Sequence, residues 1–106
     1  MQYYELTNII RVDLSKFDSS KVINMVGIFA SCFKLESIDL TNLNTSKVTS
    51  MAQMFSKCSS LTTLALRSFN TLKVDDMSRM FFSCSSLIYL DLSNFKTPSL
   101  NPFISI

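Results

Sequence analysis

The sequence predicts an α/β fold, a single-domain solenoid that uses all 106 residues in about four 26-residue repeats. The clearest sign is the spacing of Cys32, Cys58 and Cys84, which lie 26 residues apart. Residues 35–60 and 61–86 are identical at 12 of 26 positions. No single repeat can enclose its own apolar side chains, so we expect neighbouring repeats to stack and bury them between layers.

A short strand is expected in each repeat. In residues 35–40, Ile38 and Leu40 alternate with polar residues, a pattern typical of a half-buried strand. Every repeat runs in the same direction, so strands at 26-residue spacing are expected to pair in parallel. The same columns predict strands around residues 12–14, 64–66 and 90–92.

A short helix is expected after each strand and turn. Apolar residues at positions 48, 51, 54, 55 and 58 have helical spacing, which predicts one or two helical turns over residues 50–57. The period predicts the same over residues 24–31 and 76–83. Ser50 and Asp76 are the expected N-caps. The methionines in these segments are expected to fill the core: Met25, Met51, Met54, Met77 and Met80.

The strand face is the expected binding surface. Paired strands lie about 4.8 Å apart, whereas packed helices need roughly 8–10 Å, so the strands should line the concave side of the array. We expect Tyr89 and Arg67 to form an anchor pair, since both residue types are common at interface hot spots. The predicted binding residues are Arg11, Asp13, Ser37, Asp39, Thr63, Arg67, Tyr89 and Asp91.

The three cysteines favour a structural interpretation. Their column falls in the helical segments, where neighbours should be too far apart for a disulfide, which needs Cα atoms within about 7 Å. We expect free thiols in a buried structural ladder. A calcium site is one hypothesis for Asp13, Asp39 and Asp91. The favoured interpretation is that they are exposed carboxylates that accept hydrogen bonds from loop amides or water, because Ala65 interrupts their column. No metal or cofactor is therefore expected.

Composition excludes several classes of function. A net charge of +2 without a concentrated basic face argues against nucleic-acid binding. No run of about 18 apolar residues predicts membrane insertion. The chain has no histidine, the usual general base and the commonest metal ligand, and no acid–base pair stands outside the repeat columns. We therefore expect no enzymatic activity and no catalytic residues.

Two segments resemble a known family. Residues 90–95, Leu-Asp-Leu-Ser-Asn-Phe, and residues 44–61, which carry the Met, Phe and Cys columns, look like the BspA-like leucine-rich repeat family. The resemblance covers about residues 6 to 97. It implies a right-handed leucine-rich-repeat solenoid and a role in adhesion or protein binding at a cell surface. Residues 1–6 do not read as a signal peptide, so an intracellular location is an alternative.

Two functions are compatible with these features. The first is a non-enzymatic protein-interaction module of a surface or adhesion protein, with a protein partner bound on the concave face. The second is an intracellular structural or scaffold subunit of a large assembly, which contacts its neighbours through uncapped ends. Two features support the scaffold hypothesis. Phe103, Ile104 and Ile106 are apolar where a polar cap would be expected, and the fourth repeat breaks at Pro98 and Pro102.

Overall fold

The computed structural model describes residues 8–96 and residue 98. It contains two strands, β1 (Thr63–Ala65) and β2 (Tyr89–Asp91), which form a two-stranded parallel sheet. The register pairs Thr63 with Tyr89, Leu64 with Leu90 and Ala65 with Asp91. β1 forms where a buried Leu64 alternates with exposed neighbours, as expected for a strand with one apolar face. Each paired residue is offset by one 26-residue period.

The expected helical segments form turn ribbons, the name used here for residues 25–31, 51–57 and 77–83. Along each ribbon, alternate N–H groups donate to a carbonyl three residues earlier, as Met54 does to Met51 at 3.2 Å. In residues 25–31 and 51–57, the intervening N–H groups donate to carbonyls of the next layer along the chain. Met51 donates to the carbonyl of Asp76 at 2.9 Å, and Phe55 donates to Met80 at 2.9 Å. The ribbon is therefore a run of overlapping turns held sideways by its neighbour.

Left-handed residues recur at fixed places in these ribbons. Each ribbon has a positive φ at its third and seventh positions, with values between 54° and 64°. These residues are Gly27, Ser31, Gln53, Lys57, Arg79 and Ser83. A left-handed residue costs about 1–2 kcal/mol when it is not glycine, and it cannot continue a right-handed helix. Gly27 meets this need without a Cβ, and the other five residues depend on the surrounding hydrogen bonds.

The predicted strand-and-helix solenoid is therefore wrong. Residues 8–96 and 98 contain no α-helix and only two three-residue strands, in a compact globule with a radius of gyration of 13.0 Å. The helices expected over 24–31 and 50–57 fail because alternate N–H groups bond sideways instead of to the residue four positions earlier. Over 76–83, the N–H groups of Met80 and Phe82 bond to the residue three positions earlier, so no α-helix forms there either. Ser50 and Asp76 do accept the N–H two residues on, but they begin turns rather than helices.

The apolar columns form the core. All five methionines expected there are buried, which confirms that prediction, and they pack with the interior Leu and Val residues. Phenylalanines stack across successive layers, with ring centroids 5.6 Å apart for Phe29 and Phe55, and 6.1 Å for Phe55 and Phe81. Phe69 and Phe95 form a second stack at 6.4 Å. The 26-residue period thus reports which side chains meet, although not the backbone conformation that brings them together.

A column of buried hydroxyl groups links the layers on another side of the core. Ser19, Thr45 and Thr71 are almost fully buried. The Thr45 hydroxyl donates to the carbonyl of Asn70 at 3.0 Å and accepts the N–H of the same residue at 2.8 Å. Thr71 bonds Lys96 in the same double manner. One side chain therefore satisfies both backbone groups of a residue in the next layer.

The structure also lacks the basis for a concave strand face. That prediction assumed packed helices, which would hold neighbouring layers farther apart on one side of the array. The turn ribbons instead bond to each other backbone to backbone. On the strand side, only β1 and β2 pair among the described residues, whereas the strands expected near 12–14 and 38–40 are unpaired. The expected apolar end, with Phe103, Ile104 and Ile106, lies outside the described residues, as does Pro102.

Candidate functional site

Four of the eight predicted binding residues lie together around a groove. Arg11, Asp13, Ser37 and Asp39 line a depression of about 490 Å³ between two neighbouring segments, residues 10–13 and 36–39. We call it the interstrand groove. Ile10, Val12, Glu36 and Ile38 complete its lining. An adjoining depression of about 210 Å³ shares Asp13 and Asp39 and extends the polar surface toward Ser15, Thr41 and Asn42.

The groove exists because two segments that the period places side by side do not pair. Among the described residues, no backbone hydrogen bond joins residues 10–14 to residues 36–40. The next pair of layers begins to close, since Thr62 donates to the carbonyl of Glu36 at 3.1 Å, and β1 and β2 then pair fully. The groove therefore lies between two backbone segments that do not pair with each other.

Acidic side chains dominate the groove. Three carboxylates, those of Asp13, Glu36 and Asp39, line it with one guanidinium, that of Arg11. Hydrogen bonds from the Ser15 hydroxyl and N–H hold the pKa of Asp13 below its ordinary value. The N–H and hydroxyl of Thr41 do the same for the pKa of Asp39. Both carboxylates are thus held in the charged form, and the groove presents a net negative surface to a ligand.

The other predicted residues gather at the paired strands. Arg67 Nε lies 2.8 Å from a carboxylate oxygen of Asp91, and the Tyr89 hydroxyl donates to the same oxygen at 3.3 Å. The expected anchor pair of Tyr89 and Arg67 is therefore connected through Asp91. Thr63 lies opposite Tyr89 in the register. The eight predicted residues thus form two clusters rather than one continuous strip.

The Arg67–Asp91 pair explains an irregularity in the sequence. Elsewhere in this column an Asp accepts the N–H two residues on, as Asp39 does from Thr41 at 3.0 Å. In the layer of β1 the Asp is replaced by Ala65, and the residue two positions later is Arg67. Its guanidinium reaches the carboxylate of the next layer, where Ser93 and the Arg67 charge lower the pKa of Asp91. One repeat exchanges a local turn contact for a contact between layers.

The cysteines lie away from this surface. All three thiols are free; Cys32 and Cys58 are fully buried, and Cys84 is partly buried. The Cys58 thiol donates to the carbonyl of Phe29 and that of Cys84 donates to Phe55, both at 3.1 Å. The neighbouring Cys32 thiol and burial raise the pKa of Cys58 well above its ordinary value, and burial raises the pKa of Cys84. A protonated, buried thiol is a poor nucleophile and a poor metal ligand.

The described residues also bear on metal binding and on membrane insertion. No group of three or more Cys, Asp or Glu side chains in residues 8–96 and 98 is arranged to hold a metal ion. The carboxylates considered for calcium, Asp13, Asp39 and Asp91, each accept a hydrogen bond from their own turn instead. In the same part of the chain, no helix has the length and apolar character needed to cross a bilayer.

Sequence reasoning missed four residues of the groove. Ile10, Val12, Glu36 and Ile38 line it but were not among the predicted binding residues. Ile38 was expected in the core and is only partly buried, because its layer is not closed by the first one. The column of Ile10 and Glu36 continues with Thr62 and Ile88. Because this column mixes apolar and polar residues, the sequence already indicated that its side chains are exposed.

Comparison with known proteins identifies the family. A family model described as "Mycoplasma protein of unknown function, DUF285" matches residues 2–104, nearly the whole chain. The chain belongs to the DUF285 family. The assignment to the BspA-like leucine-rich repeat family is therefore wrong, and so is the description of the chain as a leucine-rich-repeat protein. No curated protein and no solved structure matches this DUF285 chain.

Proposed function

We propose that this DUF285 chain is a non-enzymatic protein-interaction module that binds an extended, positively charged peptide segment in the interstrand groove. The observation that carries the proposal is the open groove itself. It lies between two segments whose backbones do not pair with each other, and exposed side chains of both segments surround it. An extended segment can pair with an unpaired backbone edge, while flanking side chains select its sequence.

The charge of the groove indicates the kind of segment it would accept. Three carboxylates face one guanidinium, so Lys or Arg side chains on the incoming peptide would be favoured. Asp13 and Asp39 are held ionised by their own turns and need no proton loss on binding. Exposed pairs of this kind contribute roughly 0.2–1 kcal/mol each and weaken at high salt. Backbone pairing would supply the remainder of the affinity.

Selection from a displayed library of random peptides tests the proposal. The 106-residue chain is immobilised and panned, and the enriched peptides are synthesised and measured by fluorescence anisotropy. We expect peptides rich in Lys or Arg and in β-formers, whose affinity falls roughly threefold to tenfold for the double variant Asp13→Asn/Asp39→Asn. The peptide should also broaden or shift the amide NMR signals of residues 10–14 and 36–40.

The control must change charge equally without touching the groove. Asp18 and Asp75 are exposed carboxylates outside its lining, and Asp18 accepts the N–H of Ser20 in the same kind of turn as Asp13. The variant Asp18→Asn/Asp75→Asn should retain the affinity of the unaltered chain. Equal losses in both double variants would indicate a nonspecific charge effect and refute the groove as the site. Failure to enrich any peptide would also count against the proposal.

A further inference from the structure

We propose that copies of this chain associate head to tail, with the edge of β2 that no described residue occupies in one copy pairing with residues 10–14 of the next. The two ends of the strand side expose the same columns of the repeat. Leu90 and Leu92 are each 37% exposed, although Leu64 and Leu66, one period earlier, are almost fully buried. At the opposite end, Val12 and Leu14 occupy these columns and are only partly buried.

The most exposed large apolar residues carry the argument further. Among the described residues these are Ile88, 87% exposed, and Ile10, 73% exposed. They occupy the same column of the repeat at its two ends, while the interior positions of that column are Glu36 and Thr62. An apolar side chain therefore stands in the first and the last described layer of this column, and polar side chains stand in the two layers between. This distribution suits two surfaces that cover each other.

The occupant follows from the pairing already present within one chain. β1 and β2 pair in parallel with a 26-residue offset. In a parallel ladder, alternate residues direct their N–H and C=O groups to the same neighbour. The β1 contacts use Tyr89 and Asp91, because Tyr89 donates to Thr62 at 3.2 Å and Leu66 donates to Asp91 at 3.2 Å. The N–H and C=O of Leu90 consequently face the opposite edge of β2, with which no described residue pairs.

Continuing the same offset into a second copy places Leu90 opposite Val12 and Ile88 opposite Ile10. It also places Phe95 in line with Phe17, and so extends the stack of Phe69 and Phe95. Asp91 would approach Asp13, but the charge of Asp91 is already compensated by Arg67 at 2.8 Å. The surfaces differ at the two ends, so the contact is heterologous and generates open chains rather than closed dimers.

Sedimentation velocity on the 106-residue chain tests the proposal. We expect the weight-average mass to rise above the 12.0 kDa of the monomer as concentration increases, without a limit at the dimer. Ile88→Asp and Ile10→Asp should each return the chain to the monomer. The double variant Ile10→Lys/Ile88→Asp should associate again, because opposite charges then meet across the contact. Substitution at these exposed positions leaves the core intact, so circular dichroism should be unchanged.

The control is Ile23→Asp, an exposed apolar residue whose column holds Thr49 and Asp75 in the following layers. It should associate as the unaltered chain does. A monomer at all concentrations up to about 1 mM would overturn the proposal. A closed two-fold dimer as the largest species would also overturn it. So would normal association of the Ile88→Asp variant, or a loss of association in Ile23→Asp as large as that in Ile88→Asp. These readouts do not depend on peptide binding in the interstrand groove.

Discussion

At the scale of single residues, short polar side chains satisfy backbone groups at fixed places in each period. Asp39 accepts the N–H of Thr41, Asn44 that of Ser46, and Asn24 that of Val26. Most of their equivalents in other layers do the same. The described exceptions are Ala65 and Lys96. A chain with a single glycine needs such turns, because Asp, Asn and Ser bond their own backbone two residues on.

The buried hydroxyl of Thr45 offers the sharpest test at this scale. Thr45→Val keeps the shape but leaves the N–H and C=O of Asn70 without their partner in a part-buried position. We expect the free energy of unfolding to fall by about 1–3 kcal/mol, the cost of an unsatisfied buried polar group. Thr45→Ser retains the hydroxyl and should lose less. Urea unfolding followed by circular dichroism provides the measurement, and equal losses for Val and Ser would contradict the assigned role.

At the scale of elements, the turn ribbon is the feature that apolar spacing misrepresents. Residues at i, i+3, i+4 and i+7 point to one side in a helix, and they do so equally in overlapping turns. The decisive difference is the destination of alternate N–H groups, which donate to the next layer in the ribbon. Side-chain periodicity carries no information about that choice.

The left-handed positions of the ribbon predict an unusual response to glycine. Lys57 is exposed and has a φ of 63°, so Lys57→Gly removes a steric penalty. Lys47 is equally exposed and has no positive φ, so Lys47→Gly should cost about 0.5–1 kcal/mol through chain entropy. We expect Lys57→Gly to be more stable than Lys47→Gly by about 1 kcal/mol or more, measured by urea unfolding. The reverse order would show that residue 57 is not left-handed in solution.

At the scale of the whole molecule, layers are held by backbone bonds on the ribbon side and by side chains in the core. The two strands contribute only three residues each, and the interstrand groove marks where the strand side opens. The proposed binding groove and the proposed association edge therefore both lie on the less regular side.

Carboxylates without histidine give a simple expectation for pH. The pKa values of Asp13, Asp18, Asp39 and Asp91 are all lowered by hydrogen bonds from their own turns. A lowered pKa contributes stability above the unfolded value of about 3.9, and that stability is lost as pH falls through the folded pKa. The chain has no histidine. The thermal midpoint should therefore vary little between pH 5 and 8 and fall below about pH 4.

Thermal unfolding followed by circular dichroism from pH 2.5 to 8 checks this expectation. The variant Asp39→Asn should show a shallower fall on the acid side, since one of the four carboxylates with a lowered pKa is gone. A midpoint that drops between pH 5 and 7 would contradict the expectation, because the pKa values of these four carboxylates lie below their ordinary value and the chain has no histidine.

The sequence by itself determined which side chains share an environment. Its period identified the Met, Phe and Leu columns of the core, the parallel register of β1 and β2, and the proximity of Arg11, Asp13, Ser37 and Asp39. Only the tertiary structure decided that the ribbons are turns, that the segments expected as the first two strands do not pair, and that Arg67 reaches Asp91. The reason is physical. The polarity of each side chain indicates whether it is buried, whereas the partner of a backbone N–H depends on how closely the next layer approaches.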